Sequence, residues 1–295
     1  MASAWRDKGV RIIGLGWTGF ILENLILSEN RTELINSFGD VAYHNVYNSL
    51  SVAACSTIAY GYLRHGRRKG AQLWVSGGPP RRVTAFLLQA CGLIGFSQLL
   101  PRIQLPFVAV GDAAPPPPQQ EPSSGSRQTL QRSSPGAAAA MAAATTATAL
   151  SSDSTAQKTA YRARCPMDFR PPDVPHDGVY GLSRVTRHPA LYSMAFIGLG
   201  SAVATPLAAE AVFFVMPAVF AVVGSAHIDS RHRRGIGGRL TPETEAVTSN
   251  LPFAALLSGE QSWEKLWGEL KRSNAAFAVA AAAGFALRRR RLGRW

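Results

Sequence analysis

The stretch PALYSMAFIGLGSAVATPLAAEAVFFVMPAVFAVVGSA, residues 189–226, consists of two apolar blocks on either side of Thr205, Pro206 and Leu207. A helix needs about 20 mainly apolar residues to span a bilayer. The blocks 189–205 and 208–226 come close to this length. We therefore predict two membrane helices here, joined as a helical hairpin whose outer ends lie on the same side of the membrane.

Further apolar blocks precede and follow this hairpin. Apolar residues make up 46% of the chain and are gathered in blocks, while long stretches between the blocks contain almost none. The other blocks cover 10–28, 47–63, 83–100 and a shorter, alanine-rich segment at 274–287. This pattern predicts an all-α fold, a multi-pass membrane helical bundle of five to six spans with a low-complexity insertion.

The insertion is a run of proline, serine, alanine and threonine at 112–160. Such a run cannot bury enough apolar surface to offset the entropy lost on ordering, so we predict a linker. The chain then divides into four segments. They are a first membrane half with three spans at 1–111, the low-complexity linker at 112–177, the hairpin with its preceding turn at 178–239, and an amphipathic and alanine-rich C-terminal extension at 240–295.

The chain is strongly basic, with 31 lysines and arginines against 18 aspartates and glutamates. The basic residues cluster at the ends of apolar blocks, at 64–70, 231–234 and 288–291, and no recognisable nucleic-acid-binding module surrounds them. Basic clusters beside membrane spans are topology signals and bind lipid headgroups. We expect membrane lipids as partners and no nucleic acid.

The same clusters give a conflict in topology. The basic flanks at 64–82 and 184–188 both favour the same side of the membrane, but a single span at 83–100 places them on opposite sides. Either the stretch 83–110, which Pro101 and Pro106 interrupt, enters the membrane and returns, or the charge rule is overridden.

The three cysteines, Cys55, Cys91 and Cys165, show no paired spacing, and two of them lie within predicted spans. Disulfide frameworks and zinc sites both require cysteines at characteristic spacings. We expect neither, and we expect no metal site.

The turn before the hairpin, GLSRVTRHPALYS at 181–193, carries Arg184, Arg187 and His188. One interpretation is architectural, because proline suits the first turn of a helix and interfacial arginines reach the headgroups. The other is a cofactor-binding site. Asp229, at the far end of the hairpin, returns to the same side, so we expect its carboxylate close to Arg184 or Arg187. All four residues are candidate cofactor-binding residues.

Glu23 and Asn24 form a polar pair inside the first span. A carboxylate near the bilayer centre costs a few kcal/mol and normally faces protein, water or a ligand. The pair is therefore either functional or an interhelical hydrogen bond to Asn48, Ser51 or another partner on the second span. We favour the hydrogen bond, because polar contacts between membrane helices are common.

Two further patterns concern packing. Gly198 with Ala202, and Gly200 with Ala204, have the spacing that allows close approach of membrane helices. In the C-terminal extension, an amphipathic stripe at helical spacing consists of Trp263, Leu266, Trp267 and Leu270. Such a stripe lies in a membrane interface or docks on a partner.

Three stretches resemble the NnrU family of multi-pass membrane proteins, which includes zeta-carotene isomerases. They are AYHNVYNSLSVAACSTIAYGYLRHGRRKGAQLW at 42–74, GLSRVTRHPALYS at 181–193 and IDSRHRRG at 228–235. In the isomerase branch, the resemblance implies a haem b held by two histidines. His188 matches one of them, but counting back from Tyr43 without gaps places Asn24 where the other stands. A neutral carboxamide is a poor haem ligand. We therefore expect no cofactor, with haem b through His188 as the alternative.

The same turn is also similar to a pattern of isoprenylcysteine and phospholipid methyltransferases. Gly178 and Tyr180 precede the Arg-His-Pro motif, and Tyr192 follows it. This resemblance implies S-adenosylmethionine, held by the motif and by two consecutive glutamates after the next helix. Here that place reads Ile228-Asp229, with a single carboxylate. Half of the expected acidic pair is missing.

The departures from both patterns favour a non-catalytic accessory or structural subunit of an organellar membrane complex, in which an enzyme scaffold has lost part of its site. We favour the mitochondrial inner membrane over the plastid. Its partners would be other membrane-protein subunits, contacted through 112–177 and 240–295. The first alternative is a haem-dependent isomerase-like membrane enzyme, and the second is an S-adenosylmethionine-dependent membrane methyltransferase.

Overall fold

The described part of the chain is a bundle of helices, which confirms the all-α membrane fold class. The computed structural model describes residues 6–74, 78–104, 107–110, 160–163, 167–168 and 178–291. Its long helices are α1 (Lys8–Glu29), α3 (Asp40–Tyr60), α4 (Pro79–Leu99), α5 (Pro189–Ala204), α6 (Ala208–Arg233) and α10 (Arg272–Arg291). Shorter helices are α2 (Arg31–Phe38), α7 (Pro242–Val247), α8 (Ala254–Leu257) and α9 (Trp263–Glu269). A π-helical turn covers Gly61–Gly66, and a 3-10 turn covers Gly181–Arg184.

The long helices begin where the sequence supplies start signals. The Asp7 side chain accepts hydrogen bonds from the backbone N–H groups of Gly9 and Val10 and so caps α1. Prolines stand in the first turn of α4 and α5, where their missing N–H would have had no partner within the helix. The proline in the Arg-His-Pro motif is thus a helix start, as the architectural interpretation of the turn predicts.

The long helices pack in the spatial order α10, α4, α5, α6, α1 and α3. Glycines allow the closest approaches. A Cβ atom on Gly92 of α4 would lie 2.6 Å from the carbonyl oxygen of Ser193 on α5, and one on Gly198 of α5 would lie 2.3 Å from the carbonyl oxygen of Phe214 on α6. The small residues of the hairpin therefore serve helix packing, which is the role that their spacing predicts.

Contacts between neighbouring helices define two ends of the bundle. At one end, which we name the basic end, α1 begins beside Ala209, and Asp7 accepts a hydrogen bond from the Ala71 backbone. At the other, which we name the RHP end, His188 lies beside Asp229, and the Ser28 hydroxyl lies 2.8 Å from the His227 ring. Helix α4 runs without a break between the two ends. It crosses the bundle once, so the basic flanks at 64–82 and 184–188 lie at opposite ends, which agrees with the second of the two alternatives, that the charge rule is overridden.

Among the described residues, three helices are long and apolar enough to cross a membrane: α1, α4 and α6. Helix α5 is apolar but has only 16 residues. Large apolar side chains are exposed along the outer faces of the bundle, among them Leu15, Val52 and Leu87, with exposures of 71%, 65% and 58%. Apolar surface of this extent is typical of helices that face lipid.

Four short strands were not predicted from the sequence. Strand β1 (Arg102–Ile103) pairs antiparallel with β4 (Met167–Asp168), and β2 (Phe107–Val110) pairs antiparallel with β3 (Ala160–Ala163). The second pair belongs to a separate compact unit, residues 105–166. The predicted low-complexity run lies outside the described residues, apart from the first residue of β3.

Candidate functional site

The RHP end contains a cluster of charged side chains centred on Asp229. The Asp229 carboxylate, with a side chain 4% exposed, lies 2.7 Å from Nη2 of Arg187 and 2.7 Å from Nε2 of His188. Arg187 and His188 are 12% and 10% exposed. The proximity of Asp229 to the arginines of the turn, expected from the sequence, is therefore observed for Arg187.

The hairpin explains how these residues meet. Pro189 starts α5, so Arg187 and His188 stand just before its first turn. Helix α6 runs antiparallel to α5 and carries Asp229 in its last turns, where it returns to the same end. Residues about 40 positions apart in sequence thus form one ion-pair cluster.

A third group from the C-terminal extension completes the Asp229 cluster. The Asn250 amide donates to Oδ2 of Asp229 at 2.8 Å, and its Oδ1 accepts hydrogen bonds from Tyr192 and Ser225, each at 2.9 Å. Arg187 also donates to the carbonyl oxygen of Thr248 at 2.8 Å. The carboxylate, the guanidinium and the amide therefore all have protein partners.

Arg184 forms a second, separate ion pair. Arg184 is only 1% exposed. Its guanidinium donates to both carboxylate oxygens of Glu269, at 2.8 and 2.6 Å. Gln261 accepts a further hydrogen bond from Arg184 at 2.7 Å, and the Gly181 backbone donates to Glu269 at 2.6 Å. Bidentate pairing of this kind fixes geometry as well as charge.

The C-terminal extension is thus bound to the turn. The backbone N–H of Arg187 donates to Ser249, and that of Phe253 donates to Val185. No site residue was predicted within 240–295, yet this segment supplies Asn250, Gln261 and Glu269. Isolated polar residues in a short amphipathic segment carry no signal of their own that distinguishes an internal partner from a solvated side chain.

Lys271 connects the same extension to the end of α4. Its ammonium donates to the carbonyl oxygens of Gln98 and Leu100 at 2.8 and 2.7 Å, and its backbone N–H donates to the Gln98 side chain at 2.7 Å. Burial lowers the pKa of Lys271, and the nearby Arg102 cation adds to this effect. A cation that satisfies the last carbonyls of a helix stabilises its C-terminus.

The polar pair in α1, Glu23 and Asn24, accepts hydrogen bonds from α3. The Ser51 hydroxyl donates to Glu23 at 2.5 Å, and the Tyr47 hydroxyl donates to Oδ1 of Asn24 at 2.6 Å. The Asn24 amide donates to the carbonyl oxygen of Phe20 in its own helix at 2.8 Å. These are the contacts with the second span that the favoured interpretation predicts, and Tyr47 is a partner that the sequence did not single out.

An apolar cavity of about 520 Å³ lies beside the turn. Helices α4, α5, α9 and α10 line it, and it includes both tryptophans of the amphipathic stripe, Trp263 and Trp267. Thr186 and Pro189 also line it, but His188 between them does not. The cavity can accept a lipophilic molecule, and the imidazole is turned away from it towards Asp229.

The described residues do not form a metal site, since no group of three or more histidine, cysteine, aspartate or glutamate side chains lies close enough together among them. Cys55 and Cys91 are free thiols, and Cys165 lies outside the described residues.

The fold and the cluster define a class: a multi-pass helical membrane protein whose Arg-His-Pro turn is locked to the end of the following hairpin. A family model described as NnrU protein matches residues 13–288, and the chain belongs to this family. The match includes the insertion and most of the C-terminal extension, beyond the three stretches in which the resemblance is visible. No curated protein and no solved structure matches the chain.

Proposed function

We propose that this protein is a non-catalytic accessory or structural subunit of a membrane protein complex, built on the NnrU helical bundle. One observation carries the proposal: the charged groups of the Arg-His-Pro turn are committed to internal partners. Arg184 pairs with Glu269, while Arg187 and His188 share Asp229. These pairs join the turn, the hairpin and the C-terminal extension, so the motif acts as an architectural lock.

The residues do not fit a haem b held by two histidines. The position matched to the second histidine is Asn24, whose carboxamide is hydrogen-bonded to Tyr47 and to its own helix. The Nε2 atom of His188 faces Asp229, and the ring does not line the large apolar cavity. The His188 imidazole together with the neutral Asn24 carboxamide, which is already hydrogen-bonded within the protein, would bind haem iron weakly.

A methyltransferase site is also poorly supported. The neighbour of Asp229 in the expected acidic pair is Ile228. The single carboxylate accepts hydrogen bonds from Arg187, His188 and Asn250. A cofactor as charged as S-adenosylmethionine needs groups that remain available to it.

Exposed apolar side chains on the C-terminal extension support binding of another subunit. Leu251, just before α8, is 57% exposed, and Leu257, the last residue of α8, is 79% exposed. Trp267 of α9 is 62% exposed. Aromatic and apolar side chains of this kind anchor protein interfaces and membrane interfaces. We infer that the extension binds a partner subunit at the RHP end.

The complex belongs in an organellar membrane under this proposal, with the mitochondrial inner membrane favoured over the plastid. The support is compositional, since a long proline- and alanine-rich insertion between membrane helices is typical of nuclear genes of high GC content. The same insertion suits a segment that folds on a partner.

One observation favours an enzyme as the second candidate. The apolar cavity of about 520 Å³ lies directly against Pro189 and Tyr192 and is large enough for part of a lipophilic substrate. An isomerase-like enzyme would hold its substrate there.

An absorption spectrum of the purified protein, with pyridine haemochrome quantification, tests these candidates against each other. We expect no Soret band at stoichiometric haem. A full-strength band that His188→Ala abolishes would establish the haem enzyme. Affinity purification from the native membrane tests the subunit role, and we expect the same membrane proteins to co-purify in fixed ratio.

A further inference from the structure

The basic end contains a cavity that the proposed function does not use. Its volume is about 530 Å³, and the side chains around it include Lys8, Arg64, His65 and Lys69. Asp7, Gly9 and Leu63 complete its lining. Three full cations therefore surround a space at the end of a membrane bundle, at the level where lipid headgroups lie.

The cations around this cavity form no ion pair with the part of the chain that the structure describes. Among the residues that the structure describes, no carboxylate lies within ion-pair distance of Lys8, Arg64 or Lys69. Asp7 accepts hydrogen bonds from the backbone N–H groups of Gly9, Val10 and Ala71. Among the described residues of the lining, Asp7 is the only carboxylate and faces three cations, so the cavity retains a positive balance.

Two buried polar atoms, one in this cavity and one in the adjoining groove, have no hydrogen-bond partner among the described residues. One is Nε2 of His65, in the lining of the basic cavity. The other is Nε1 of Trp17, which lines an adjoining apolar groove. A buried donor without a partner costs about 1–3 kcal/mol. The Trp17 indole is always a donor, and Nε2 of His65 is a donor when it carries the proton, so a ligand with oxygen acceptors would satisfy both atoms.

The apolar groove adjoins the basic cavity. The two share Leu63, and the groove of about 400 Å³ also contains Phe20, Ile58, Tyr62 and Phe213. Side chains on a helix point towards its N-terminus. The Trp17 indole of α1, which lines the groove, therefore extends towards the basic end.

The π-helical turn Gly61–Gly66 forms the junction of these two spaces. It places Tyr62 and Leu63 in the groove and Arg64 and His65 at the cavity. π-helical segments are rare and frequently mark functional sites. Here the turn contributes two consecutive residues to the apolar groove and the next two to the basic cavity.

We propose that this site binds an anionic glycerophospholipid, with its headgroup phosphate among Lys8, Arg64, His65 and Lys69 and one acyl chain in the groove beside Phe20 and Phe213. The Trp17 indole donates to an ester oxygen. Basic pockets at the ends of membrane helices are suited to such headgroups. The site lies at the opposite end of the bundle from the Arg-His-Pro lock and goes beyond the proposed function.

The test measures lipid binding to the full-length, delipidated protein in detergent by native mass spectrometry. The probes are phosphatidylglycerol, phosphatidylcholine and inorganic phosphate. We expect tight binding of one phosphatidylglycerol and weak binding of the other two. In the triple variant Lys8→Gln/Arg64→Gln/Lys69→Gln, affinity should fall about 100-fold, because each interfacial cation contributes roughly a factor of five.

A charge-matched control comes from the RHP end. Arg239, Lys265 and Arg272 are exposed, so Arg239→Gln/Lys265→Gln/Arg272→Gln removes the same charge elsewhere. We expect this variant to retain phosphatidylglycerol affinity within about a factor of five. An equal loss in both triple variants would overturn the proposal in favour of a general charge effect.

Trp17→Phe gives a second test that does not depend on net charge. The Trp17 Nε1 atom has no partner among the described residues, so Trp17→Phe removes no hydrogen bond from the lipid-free protein and should lower its thermal midpoint only through the smaller ring, which packs on the cluster around Ile13. The increase in midpoint on adding phosphatidylglycerol should become smaller. The proposal is overturned if phosphatidylcholine binds as tightly as phosphatidylglycerol, if inorganic phosphate alone gives the full effect, or if Trp17→Phe and the first triple variant both bind like the unaltered protein.

Discussion

Arg184 and Glu269 form a bidentate ion pair across 85 positions of the sequence, with contacts of 2.8 and 2.6 Å between guanidinium nitrogens and carboxylate oxygens. The pair connects the turn before α5 to the end of α9, and the Arg184 residue is only 1% exposed. A buried arginine cation needs a paired carboxylate to offset its loss of hydration. The pair therefore shows how the C-terminal extension is fixed to the Arg-His-Pro turn.

Removing one partner of this pair should destabilise the fold far more than removing both. Arg184→Met or Glu269→Leu takes the counter-ion of this pair from a buried charge, at a cost of about 3–5 kcal/mol, while an apolar replacement of a whole buried pair is often nearly neutral. We expect the double variant to recover most of the thermal midpoint lost by either single variant. Thermal unfolding in detergent measures this. The two residues would act independently if the double variant lost as much thermal midpoint as the two single variants together.

Asp229 should matter more to stability than His188. Asp229→Asn removes the carboxylate that holds Arg187, His188 and Asn250 together and leaves the Arg187 cation without its counter-ion. His188→Gln removes one donor from a cluster that keeps its arginine. We expect a loss of about 2–5 kcal/mol for the first variant and a smaller loss for the second. The reverse order would indicate that the imidazole has a role beyond the lock.

Gly92→Ala should disrupt the packing of α4 against α5. The added Cβ atom would lie 2.6 Å from the Ile197 nitrogen and from the Ser193 carbonyl oxygen, so backbone must move. We expect a loss of about 1–3 kcal/mol, the usual cost of overpacking. Gly19→Ala is the matched control, because no atom lies within 4 Å of the added Cβ there. A neutral Gly92→Ala, measured by thermal midpoint beside this control, would contradict the close approach.

The basic end should face the interior side of its membrane, which is the matrix side for a mitochondrial inner membrane. Exposed cations crowd this end and have no ion pair with any described carboxylate, whereas Arg233 and Arg234 at the RHP end pair with Glu245 and Glu29. Cations near short spans set orientation. In a cysteine-free background, Lys69→Cys should resist an impermeant maleimide applied to intact mitoplasts. Arg239→Cys should react. The opposite labelling pattern would reverse the orientation.

The helices were largely predictable because their residues form long apolar blocks. Predicted spans at 10–28 and 189–205 correspond to Lys8–Glu29 and Pro189–Ala204. The second span was predicted to begin at residue 47, but α3 begins at Asp40. Its first turns are polar, so the apolar signal starts later than the helix. Helix α6 continues to Arg233 past its apolar block for the same reason.

The site was only partly predictable. The hairpin geometry placed Asp229 near the turn, since antiparallel helices return to the same end. The partners Asn250, Gln261 and Glu269 depend on how a tail of short helices folds back, and local sequence does not specify that. For the same reason the sequence suggested Arg184 and Arg187 as equivalent partners of Asp229, while the structure gives each its own carboxylate.

The subunit role is tested most directly by native gel migration of the full-length protein, extracted from its own membrane in mild detergent. We expect it to migrate in a defined assembly much larger than the monomer. Leu251→Gln/Leu257→Gln, on the exposed face of the extension, should release it from that assembly, while Leu73→Gln at the basic end should not. Migration of the unaltered protein as a lone monomer would contradict the subunit role and favour an enzyme that uses the apolar cavity.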